Sequence, residues 1–162
     1  MEINGAEPSK PVLCVFVGVS HDPAEAQRMR DVHLQRYARS TVEHYRFADV
    51  SFADIEGYEY DAGLARNIAK HGLEKFNGFL ADLQVWGTPD QVATKLLDDV
   101  RRTDAGAVLV TLSYGGMSPE VADANDDLFV REVLPVLQAH DVGGAIGVTH
   151  AAQAAQAEMA SR

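Results

Sequence analysis

Ser113-Tyr114-Gly115-Gly116 is the stretch of this sequence whose residue types best suit a pocket. A hydroxyl, a phenol and two glycines follow directly on the apolar run Ala107-Val-Leu-Val-Thr-Leu112. Glycine supplies turn geometry without steric cost and also lets a ligand approach the backbone closely, so the pair reads either as a tight turn or as a cradle. Ser20 and His21 follow a second apolar run, Val12-Leu-Cys-Val-Phe-Val-Gly18, and Trp86 closes a third, Leu83-Gln-Val-Trp86. Aromatics concentrate in His44-Tyr45-Arg46-Phe47 and Gly57-Tyr58-Glu59-Tyr60. Such a stretch either packs a loop onto the body of the domain or forms a lid over a substrate. The candidates for lining a pocket for a small organic molecule are His44, Tyr45, Tyr58, Trp86, Ser113, Tyr114, Gly115 and Gly116.

Several chemistries lack their signatures. The six histidines show no HxH or HExxH spacing, so no metal site is expected. No GxSxG elbow marks a nucleophilic serine, and no GxGxxG or Walker loop marks a nucleotide site. Asp54, Glu56, Glu59 and Asp61 form no recognisable acid/base pair. The net charge of −10 argues against nucleic acid, because phosphate neutralisation needs clustered Lys and Arg. Cys14 is the one cysteine, which excludes an intramolecular disulfide. No apolar run approaches the roughly 20 residues of a membrane span. The polar opening MEINGAEPSKP lacks a basic region followed by an apolar one, so no secretory signal is expected and a cytoplasmic location is the default.

The elements that must position these residues have a repeating grammar. The first apolar run suits a buried strand. After it Asp22-Pro23 offers an N-cap and a first-turn proline, with Glu25 as box partner, for a helix to about Tyr45. Leu83–Trp86 is a short strand, and Thr88-Pro89-Asp90-Gln91 opens a second helix with Val92, Leu96 and Val100 on one stripe. Ala107–Leu112 is a third strand, and Ser118-Pro119-Glu120 opens a helix through about His140. Strand–loop–capped-helix units in series predict an α/β fold with parallel strands. Residues 47–77 read as the least regular stretch, with short helices. Val142–Val148 is a further short strand candidate despite its glycines. The expected organisation is a flexible leader over 1–10, one domain over 11–148 and an Ala-rich helix or tail over 149–162.

Trp86-Gly-Thr-Pro-Asp-Gln-Val-Ala-Thr-Lys-Leu96 resembles the GTPE-x-V/C segment of luciferase-like flavin monooxygenases. At matching spacing follow Ala107–Leu112, then Gly115-Gly116-Met117. Asp127-Leu128-Phe129-Val130-Arg131-Glu132-Val133-Leu134-Pro135 then looks like the helix that ends those barrels. Tyr45–Tyr60 resembles a loop region of the same family, and together these cover residues 11–139. The resemblance implies a (β/α)8 barrel that uses reduced FMN, or the deazaflavin F420, to oxidise a small organic substrate. A whole barrel takes about 250 residues, so the chain reads as its C-terminal half, a partial TIM barrel. The absent half would carry most of the flavin's phosphate contacts, so neither catalytic nor cofactor-binding residues are assigned. Open sheet edges invite pairing: a homodimer, a separately encoded N-terminal barrel half, or a rearranged sheet covered by the tail. Beside the flavin-dependent oxidoreductase stand two alternatives, a non-catalytic accessory or assembly subunit and a cofactor-independent enzyme reusing the strand-end pocket.

Overall fold

The computed structural model describes residues 9–51 and 55–140. Residues 1–8 of the 1–10 leader, the strand candidate Val142–Val148 and the tail lie outside these residues. Strand β1 spans Val12–Val19, β2 Val85–Gly87 and β3 Ala107–Thr111. Helices α1 (Pro23–Met29) and α2 (Gln35–His44) are joined end to end by a π-helical turn over Arg30–Leu34. Helices α3 (Glu59–His71) and α4 (Leu73–Asp82) precede β2, and α5 (Pro89–Thr103) links β2 to β3. After β3, α6 (Pro119–Leu128) passes through a second π-helical turn, Phe129–Val133, into α7 (Leu134–Gln138).

The capping chemistry acts where the sequence places it. Asp22 accepts from the Ala24 N–H at 2.9 Å, with Pro23 in the first turn. Glu25 does not close that box; it pairs instead with Arg28 one turn on. Thr88 and Gln91 do form the reciprocal box at the start of α5. Ser118 accepts from Val121 N–H at the start of α6. Between Phe47 and Asn77 the chain is more regular than its composition predicts. Helix α3 alone runs 13 residues, and α4 reaches Asp82, so β2 begins only at Val85.

All strand pairs are parallel, and the order is β2-β1-β3. Parallel βα units are therefore present as expected. The consecutive strand order of a (β/α)8 barrel is not: β1, first in sequence, lies between the other two among the described residues. In this order the segment leaving β1 packs on one face of the sheet and α5 crosses back over the other, as right-handed crossovers require. Val15, Val17 and Val19 of β1 point to the face covered by α5 and by the α6–α7 segment, with Val92, Leu96, Leu128, Phe129 and Val133. Phe16 points to the opposite face, covered by the π-helical turn, α2 and α4 through Leu34, Ala38 and Ala81. That second cover stops short. Val12 and Leu109 are 59% and 58% exposed, and Cys14 and Ala107 are exposed beside them. No helix of the described residues is long and apolar enough to cross a membrane.

Candidate functional site

A sheet that runs 2-1-3 places its ligand crevice where the connections diverge, at the carboxyl ends of β1 and β3. Strand pairing there ends at Phe16 opposite Thr111. Beyond it the two strands would leave their polar groups open to a ligand, but Asn125 of α6 reaches in. The Val19 N–H donates to its Oδ1 at 2.8 Å, and its Nδ2 donates to the Val17 and Leu112 carbonyls, both at 2.8 Å. Asn125 is 1% exposed. One side-chain amide thus takes the place of the missing ladder bonds. Gln84 does similar work on the other flank, where its Oε1 accepts from the Phe16 N–H at 3.1 Å.

From the opposite face the crevice is closed by Tyr114. Its ring meets Phe16 edge-on at 5.3 Å, and Phe16 in turn stacks on Tyr37 of α2 at 3.8 Å. The phenol oxygen lies against Gly18, where a Cβ would stand 3.2 Å from it and 3.2 Å from the Met29 Cβ. That oxygen is buried and has no hydrogen-bond partner. Burial pushes the phenol well above its ordinary value. The folded state therefore favours the neutral phenol. Its contribution to stability is complete below the unfolded value of about 10 and is lost as pH rises through the raised folded value. Tyr114→Phe removes both the alkaline sensitivity and an unsatisfied hydroxyl. We expect it to be as stable as the wild type at pH 7, or more so by about 1 kcal/mol, and to lose less stability between pH 9 and 11. Denaturation midpoints at both ends of that range measure this; a wild type clearly the more stable at pH 7 would mean that the hydroxyl has a partner.

The glycines after Tyr114 serve packing. Gly115 has φ +58°, and a Cβ there would stand 2.1 Å from the His33 carbonyl oxygen in the π-helical turn. The His33 ring nitrogen Nδ1 lies 3.1 Å from the Gly115 carbonyl, so loop and turn are tied as well as touching. Gly116 has φ +69° and faces the Arg36 guanidinium. Of the two sequence readings of this pair, the turn accounts for the geometry, and it leaves no gap between backbone and helix.

Trp86 and Tyr114 both pack, partly buried, against the apolar cluster of Leu34, Ala38 and Ala81. Ser113 is exposed at the mouth of a separate, open cleft of about 430 Å³ beside the end of β3. Leu112, Met117 and Ala122 line that cleft, with the Asp123 and Asp126 carboxylates at its rim. His21 holds Glu132 at 3.0 Å, both well exposed. His44, Tyr45 and Tyr58 stand elsewhere. By His44 the helix has run roughly 33 Å from Pro23, and His44, Tyr45 and Phe47 form an aromatic string that continues to Phe76 and Phe79. Tyr58 is exposed just ahead of α3. The eight candidates thus do not share one site.

No family model, curated protein or solved structure matches this chain. Among the described residues, no three His, Cys, Asp or Glu side chains gather to hold a metal ion. A phosphate-bearing flavin such as FMN or F420 does not fit the described strand ends. Their backbone groups are bound to Asn125, their glycines touch a helix, and the adjacent cleft offers carboxylates where a phosphate needs donors. Sequence reasoning missed Asn125, Gln84 and His33. The one available signal was Asn125 standing four residues after Val121 and three before Leu128, a polar residue on an apolar stripe. Asn77 gave no signal; it is 1% exposed on α4, and neither of its amide atoms finds a partner.

Proposed function

We propose that this chain is a non-catalytic assembly subunit, built from βα units of luciferase-like kind, whose working surface is its open sheet rather than its strand ends. The observation that supports this is a contrast in saturation. The strand ends, where an α/β fold binds small molecules, are filled by Asn125, Tyr114 and the Gly115 backbone. Apolar side chains on one sheet face and the outer edge of β3 have no cover among the described residues. Groups left unsatisfied on a monomer mark where a protein meets other chains. The test is a fluorescence titration of the purified chain with FMN and with F420, each oxidised and reduced. We expect no saturable binding at micromolar concentrations; tight one-to-one binding would overturn this reading.

A second reading is the luciferase-like, flavin-dependent monooxygenase subunit acting on a small organic substrate, in a TIM barrel completed by a separately encoded N-terminal half. The cleft at Leu112, Ser113 and Met117 favours it, being open, partly apolar and at the carboxyl end of a parallel strand. On that reading the flavin belongs to the completing half and this chain supplies one wall for the substrate. Flavin retention by a complex of the two halves, but by neither alone, would distinguish it.

A further inference from the structure

We infer that two copies of this chain pair antiparallel along the outer edges of β3, joining their sheets into one of twice the width. This names the partner for the assembly role proposed above and rests on that reading. Among the described residues, strand β3 pairs with β1 and with no other strand, so its second edge is open. Its residues Ala107-Val-Leu-Val-Thr111 include no charge, proline, glycine or bulge. Proteins that keep an edge strand unpaired protect it with such devices. The other outer strand is protected by its brevity, being only three residues long.

The strand's own pattern selects a second copy. A two-fold axis through Leu109 sets Leu109 opposite Leu109, Val108 opposite Val110 and Ala107 opposite Thr111, so leucine meets leucine on one face and valine meets valine on the other. Directly opposed side chains stand about 4.5–5.5 Å apart at Cβ, close enough to bury one another. Leu109 gains a neighbour on the face where it is 58% exposed, and half-buried Val108 and Val110 extend the core on the other. Charge follows the same two-fold. The amino end of β3 lies beside Lys10 and follows Arg101 and Arg102, whereas the carboxyl end opens on Asp123 and Asp126. Lys10 pairs with Asp104 and Arg102 with Asp98, while Arg101, Asp123 and Asp126 make no ion pair among the described residues. Antiparallel pairing sets the basic end of each copy against the acidic end of the other. Parallel pairing would set like against like.

Light scattering on a size column reads the mass of the full chain, and we expect twice 17.6 kDa. Leu109→Lys halves that mass with an unchanged circular dichroism spectrum, since the position is already open to solvent. Independently, Leu109→Cys in a Cys14→Ser background forms a disulfide-linked dimer on oxidation, and Val12→Cys, one strand inward, does not. A monomeric wild type overturns the self-pairing, as it would if residues 141–162 covered the edge. A dimer that survives Leu109→Lys and gives no Leu109→Cys link overturns it too. A monomeric wild type that binds no flavin removes the pairing but leaves the assembly reading standing. Tight flavin binding removes that reading, whatever the mass.

Discussion

Asn125→Ala is expected to lower the stability of this protein by about 3–5 kcal/mol, a large share of the 5–15 kcal/mol typical of a whole domain. Alanine leaves the Val19 N–H and the Val17 and Leu112 carbonyls without the partners they now have at 2.8 Å. Each buried backbone group so orphaned costs about 1–3 kcal/mol, and the vacated volume adds a little. The midpoint of urea unfolding should fall accordingly, with its slope little changed. Asn125→Asp separates hydrogen bonding from volume. One carboxylate oxygen still accepts from Val19, but the other faces two carbonyl oxygens, so the buried carboxyl is favoured in its protonated, donating form. Its folded pKa is therefore raised above the unfolded value of about 3.9. The sign follows: stability is best below pH 4, falls as pH rises toward the raised folded value, and levels off above it. A variant whose stability is flat from pH 4 to 7 would mean that the amide does not donate to those carbonyls.

Gly115→Ala is the second large effect, and its neighbour is the control. At Gly115 the added methyl would stand 2.1 Å from the His33 backbone oxygen in the π-helical turn, so loop or helix must shift. At Gly116 the nearest atom is the end of the flexible Arg36 side chain at 3.2 Å, which can move. Both positions have positive φ and share the left-handed penalty of about 1–2 kcal/mol. We expect Gly116→Ala to cost roughly that, and Gly115→Ala about 3–4 kcal/mol by adding the clash. Matched thermal or urea midpoints measure the difference. Equal losses would show that the loop does not bear on the helix.

The parts of this fold that were legible in the sequence are those decided within a few residues. Asp22-Pro23, Thr88-Pro89-Gln91 and Ser118-Pro119 announce their helices because a cap, a fixed φ and a box partner act locally. Apolar runs announce strands in the same way. Strand order is another matter. Val12–Val19 accepts β2 on one edge and β3 on the other through apolar pairs that no residue type distinguishes. Sequential units therefore read only as parallel βα pieces, the barrel came from the family resemblance, and the described strands run 2-1-3. The candidate site suffered from the same limit. Gly115 was found because glycine is conspicuous, but whether it faces a ligand or a helix depends on His33, 82 residues away. Asn125 sits in the polar run Ala122-Asp-Ala-Asn-Asp-Asp127 and passes for surface until Val17 and Leu112 are placed beside it.

The π-helical turn over Arg30–Leu34 carries a consequence for how this sequence can diverge. Buried positions before it are Ala26 and Met29; Leu34 is its own last residue, and Ala38 and Val42 follow it. The step from Met29 to Leu34 is five residues, too long by one for a straight α-helical stripe, and the wider turn absorbs the surplus. The same turn presents the His33 carbonyl to Gly115. Helix length and loop glycine are thus one inherited trait. A homologue that deletes one residue between 30 and 34 would tighten the helix, withdraw that carbonyl and release position 115 to take a side chain. Homologues that keep the extra residue should keep the glycine.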